Sequence, residues 1–155
     1  MAYHLPLDAH PVLGNNAQLG QVLGLPIDGF AGKNNLIAHS RLPAPVAVNE
    51  ICSLLQLKLQ RVPMIVGPQE KKIQTIAWCT GAAQGYLQTA LALGADTYIS
   101  GEISEQTTHI AQECDITYFS AGHHATERYG VKALGQHLAE RFAIEHIYVE
   151  IDNPV

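Results

Sequence analysis

The sequence predicts an α/β fold, with a largely parallel or mixed sheet and helices packed on it. Three observations predict this. From residue 73 onward, short apolar runs alternate with helix-period stretches, a pattern that requires crossover connections between parallel strands. The runs end at glycines beside polar residues, at Thr80-Gly81, Ser100-Gly101-Glu102 and Gly122-His123-His124. The chain has 155 residues, 47% apolar and 15% charged, enough for one region with a real core. Residues 1–155 therefore read as a single α/β region, with a Gly/Pro-rich connecting part at about 25–72.

Each element follows from local pattern. "AYHLPLD", residues 2–8, alternates weakly and reads as a short strand ending at Asp8. Asn15 or Asn16 can cap a helix whose apolar face is Leu19, Val22 and Leu23 and which Gly24 can end. "NLIAHSRL" is strand-like. In "VAVNEICSLLQLKLQ" the residues Val48, Ile51, Leu54, Leu55 and Leu59 share a helix face. "VPMIVG" and "IQTIAWCTG" are strands, and "AAQGYLQTALALG" is a helix ended by Gly94. "ADTYISG" is a strand, then "SEQTTHIAQECD" a helix with Ser104 as its N-cap. Leu87, Leu91, Ile110 and Ala111 should face the core. "ITYFSAG" is a strand, "HATERYGVKALGQHLAERFA" one long helix, and "IEHIYVEID" the last strand.

Composition excludes several functions. The formal net charge is -5 with histidines neutral, and Lys71-Lys72 is the only adjacent basic pair. Nucleic-acid binding needs a basic stripe, and none is visible. No apolar run approaches the about 18 residues of a membrane span. The opening "MAYHLPLDAHP" has neither a basic nor a long apolar segment, so no signal peptide is expected. The 3 cysteines are far apart, with no C-x-x-C. A thiolate zinc site or disulfide framework is not expected, and a reduced, cytoplasmic setting fits. There is no P-loop, which excludes an ordinary kinase or GTPase.

The chemistry-bearing residues fall in clusters. Ligands in such folds bind beyond the carboxyl ends of the strands. Glu127 follows His123 by four positions and His124 by three, so either histidine can share a helical face with it. Imidazole and carboxylate suit Zn, Mn, Fe or Ni. The same spacing also describes a helix whose acidic residue lies near the positive end of the dipole. "HLPLDAH" supplies a further cluster, His4, Asp8 and His10. Free N–H groups near such a helix start favour a small anionic ligand such as phosphate or carboxylate.

Two long segments, "HLPLDAHPVLGNNAQL" and "SAGHHATERYGVKAL", resemble signature segments of the Nif-three-like family of dinuclear-metal proteins, whose members are labelled type 2 GTP cyclohydrolase I homologues. "WCTGAAQGYLQTALALGADTYISGE" is similar to the segment between them, so the resemblance covers almost the whole chain. It implies a Nif-three-like fold and a site for two divalent transition-metal ions. Asp8 and His123 match ligand positions, and Glu127 matches the bridging glutamate. His124 falls at a variable position. His4, His10 and Glu102 match polar positions near the site. Family members carry a preceding His-His-Gly segment that supplies two further ligands, and none occurs in this chain. The expectation is an amino-terminally truncated version, the carboxyl-terminal two-thirds. The resemblance further implies homo-oligomers, often ring-like hexamers. The functions expected are metal-dependent hydrolysis of a small anionic or nucleotide-like substrate, a non-enzymatic metal-binding scaffold or regulatory oligomer, or an inactive fragment.

Overall fold

The computed structural model describes residues 4–155. Its centre is a six-stranded mixed sheet in the order β1-β2-β4-β5-β6-β3. The strands are β1 (Gly29–Ala31), β2 (Ile37–Ala47), β3 (Met64–Val66), β4 (Lys72–Cys79), β5 (Thr97–Ser100) and β6 (Thr117–Ser120). The helices are α1 (Leu5–Asp8), α2 (Asn15–Leu23), α3 (Val48–Leu59), α4 (Leu87–Ala92), α5 (Glu105–Glu113), α6 (His123–Thr126) and α7 (Tyr129–Phe142). β4, β5 and β6 run parallel, while β1 and β2 on one side and β3 on the other are antiparallel to their neighbours.

Both faces of the sheet are covered, which explains the continuous apolar runs of its central strands. Ile76, Trp78, Ile99 and Phe119 pack with Leu19, Leu23, Ile51 and Leu55 of α2 and α3. Their alternates Ala77, Cys79, Tyr98 and Tyr118 pack with Leu87, Ala90 and Ala111 of α4 and α5. Leu87 and Ala111 are buried as expected, whereas Leu91 and Ile110 are only partly buried, at the border of that layer. Ser104 caps α5, accepting the Thr107 N–H.

Three readings change. Leu5–Asp8 is a helical turn and not a strand, with Pro6 in the first turn, where its missing N–H costs nothing; Ala2 and Tyr3 lie outside the described residues. The stretch 25–72 carries the strand, helix and strand expected within it as β2, α3 and β3, and adds the short edge strand β1. β2 reaches Ala47 by shifting register between Arg41 and Val46, where Pro43 and Pro45 have no N–H for the ladder. The expected helix over 124–143 is broken at Glu127 and Arg128 into α6 and α7. Residues 144–152 form no strand. Their β-rich side chains Ile147, Val149 and Ile151 stay exposed, and no strand among the described residues pairs with them. Among the described residues, no helix is long and apolar enough to cross a membrane.

Candidate metal centre

Because β4, β5 and β6 are parallel, their carboxyl ends lie side by side. Beyond the strands the ladder continues in single bonds, Gly101 N–H to the Gly81 carbonyl (2.9 Å) and Gly122 N–H to the Gly101 carbonyl (3.0 Å). Gly81, Glu102 and His123 are thereby gathered at one edge. The Thr126 hydroxyl ties the short helix α6 down, accepting the Gly81 N–H at 3.0 Å and donating back to the Gly122 or His123 carbonyl.

Along that edge runs a cleft of about 520 Å³, lined by His4, Leu7, Asp8, Asn15, His123, His124, Glu127, Val131, Asn153 and Val155. In it, one ligand-type atom each from His4, Asp8 and Glu127 lies within 4.8 Å of the others. His123 Nε2 lies 2.6 Å from Glu127 Oε2, and its Nδ1 lies 2.6 Å from Glu102 Oε1. Asp8 arrives on α1, not on a strand. Gly81 makes room for the pair: a Cβ there would collide with the Glu127 carboxylate and lie 3.1 Å from His123 Nε2. Its φ of +67° also suits glycine.

Electrostatics favour a cation here. Burial raises the Glu127 pKa, and the nearby charge of Asp8 raises it further, against the pull of His123 and His4. Burial lowers the His123 pKa, but the hydrogen bond to Glu102 and the charge and hydrogen bond of Glu127 override it and leave the group raised. If Nδ1 donates to Glu102, the 2.6 Å separation of Nε2 from Glu127 Oε2 calls for a proton on Nε2. A carboxylate fixing the outer nitrogen of an imidazole is also the usual support of a metal-ligating histidine. The donor set, imidazole with carboxylate, is of the kind that suits a divalent metal ion. Burial also lifts the Cys79 thiol to about 12, so without a metal it stays protonated at neutral pH.

Asp8, His123 and Glu127 all line the cleft, and Glu102 supports His123 from behind. His4, placed by sequence only near the site, stands among the ligand-type groups. His124 lies on the cleft wall, with Nε2 3.2 Å from Glu150 Oε1. His10 is turned to other use: its Nδ1 accepts the N–H groups of Val12 and Leu13, and it is not among the lining residues. The carboxyl-terminal segment passes over the same edge. Glu150 pairs with Lys132 and Arg128, Arg61 donates to the Pro154 carbonyl, and the His124 N–H donates to the Val155 carbonyl at 3.0 Å. Hydrogen bonding by Lys132, aided by His124 and Arg128 and opposed by desolvation, holds the Glu150 carboxyl down at about 2. Sequence reasoning missed Asn15 as a site residue; the signal available was an asparagine pair shortly after Asp8.

A mixed α/β sheet with imidazoles and carboxylates gathered at the ends of its parallel strands defines the class of protein. The family model Duf34/NIF3 (NGG1p interacting factor 3) matches residues 1–154, and the chain belongs to that family. It is 52% identical to a GTP cyclohydrolase 1 type 2 homolog of Allochromatium vinosum, over 99% of this chain and 61% of that protein. A Vibrio cholerae protein of the same name is 49% identical, over 99% of this chain and 63% of its own length. The chain thus spans about three-fifths of these relatives. Among solved structures, the protein ybgI, described as of unknown function, superposes with a TM-score of 0.91 at 41% identity, covering 99% of this chain and 62% of that one. TTHA1606 from Thermus thermophilus superposes with a TM-score of 0.85 at 28% identity, covering 99% and 61%.

Proposed function

We propose that this chain carries the core of a dinuclear metal centre belonging to a metal-dependent hydrolase. The observation that carries the reading is the convergence of His4, Asp8 and Glu127, with His123 against Glu127. Asp8, His123 and Glu127 would be ligands, Glu127 bridging, and His4 would join them. Divalent ions such as Zn, Mn, Fe or Ni bound there would supply a hydroxide near neutral pH and polarise the bond to be cleaved. Glu102 holds the His123 ring in place through Nδ1. His124, on the cleft wall with Nε2 3.2 Å from Glu150 Oε1, would be one candidate for proton transfer, beside His4. The substrate would be a small anionic or nucleotide-like molecule, in line with the GTP cyclohydrolase name of the relatives.

The experiment is calorimetric titration of the chain with zinc and with manganese, beside Glu127→Ala. The expected result is uptake that Glu127→Ala abolishes. Equal uptake by both proteins refutes the site. A second reading is a non-enzymatic scaffold acting as a homo-oligomer, ring or hexamer; the exposed Ile147, Val149 and Ile151 favour it. Metal-dependent turnover of GTP or a simpler phosphate ester separates the two.

A further inference from the structure

We propose that Asn15 is the positioning residue of this centre: its side-chain amide holds the Asp8 carboxylate toward the cation. The inference rests on the metal-centre reading above. Asn15 opens α2 and is 6% exposed. Its Nδ2 donates to Asp8 Oδ1 at 2.7 Å, and its Oδ1 accepts the Gly130 N–H at 2.7 Å. Those partners fix the orientation of the amide. A carboxylate accepts and a backbone N–H donates, so the group cannot flip without losing both bonds.

Gly130 is part of the device. A Cβ there would lie 2.6 Å from Asn15 Oδ1 and 3.0 Å from its backbone nitrogen, so glycine alone lets α7 approach this closely. Asn16 secures the same segment from the other side. It donates to the Asp8 carbonyl (3.3 Å), accepts the Thr80 N–H (2.9 Å), and its own carbonyl accepts Trp78 Nε1–H (2.9 Å). α1 is thereby tied both to α7 and to the end of β4, next to Gly81 and Glu127. Asp8 is buried among like charge, and the amide supplies the neutral donor that keeps its carboxylate directed at His4 and Glu127.

Two measurements test this. The first needs no metal. In NMR spectra of the metal-free protein, the Asn15 side-chain amide protons should be shifted downfield and slow to exchange, and Asp8→Ala should abolish both effects. An Asn15 signal indifferent to Asp8→Ala overturns the proposal. The second is zinc affinity. Asn15→Asp keeps an acceptor for the Gly130 N–H but removes the donor to Asp8. It should weaken zinc binding about 10–100-fold and change the visible spectrum of the cobalt-loaded protein, with an unaltered far-ultraviolet dichroism spectrum. Unchanged zinc affinity and cobalt spectrum in Asn15→Asp overturn it. If Asn15→Asp does not fold, the NMR comparison, made with Asn15 intact, decides. A wild-type chain that takes up no zinc overturns the metal-centre reading, and the amide signal then judges the Asn15–Asp8 contact separately.

Discussion

His123 stands between two carboxylates, Glu102 at Nδ1 and Glu127 at Nε2, and metal binding at the proposed centre should therefore depend on pH. The folded-state pKa of His123 is raised above the ordinary 6.5. A histidine so raised stabilises the metal-free fold fully below about the unfolded pKa, and that contribution is lost as pH rises through the folded value. A metal ion would take the place of the proton, so its binding should tighten as the imidazolium deprotonates. Zinc titrations between pH 6 and 8 should therefore show apparent affinity rising with pH, with protons released on binding. In Glu102→Gln the rise should fall at lower pH, because that variant removes one of the charges that retain the proton. A flat profile in the unsubstituted chain would separate His123 from the binding event.

Among the elements, α4 tests the packing argument. Leu87 is 1% exposed and sits between α4 and the sheet. Leu87→Ala should cost about 2–5 kcal/mol in urea denaturation, whereas a loss below about 0.5 kcal/mol would mark a surface position. The break between α6 and α7 has a different origin. Helix periodicity runs on through Glu127 and Arg128, but the Thr126 hydroxyl is held by Gly81 and Gly122, and the Gly130 N–H turns to Asn15. Those polar ties redirect the chain after α6, while Glu127 keeps the helical i,i+4 spacing that sets it against His123. Beyond α7, residues 144–152 have strand-forming side chains but pair with no strand among the described residues, and ion pairs from Glu150 anchor them instead.

For the whole molecule, the apolar side chains Ile147, Val149 and Ile151 stand out at 73%, 69% and 71% exposure. Exposed apolar residues close together in the chain favour burial against another surface. Sedimentation at rising concentration should show self-association. The triple substitution Ile147→Ser, Val149→Ser, Ile151→Ser should reduce it. A monomer at every concentration would mean that this row drives no assembly.

The sequence by itself determined the α/β class, most of the elements between 15 and 122, and the family. Those depend on periodicity, glycine-marked strand ends and two long signature segments, all local in the chain. It also singled out Asp8, His123 and Glu127 as ligand types. Only the tertiary structure decided how they meet. Asp8 comes on a helical turn because Pro6 starts one, and His4 enters the cluster while His10 caps a turn of backbone. Glu102 reaches Nδ1 of His123 across two parallel strands. Asn15 is legible in sequence only as a helix start, because its function depends on a hydrogen bond to Gly130, 115 positions away. The last segment was misjudged for the same physical reason. A strand requires a neighbour as well as a propensity, and no local pattern supplies the neighbour.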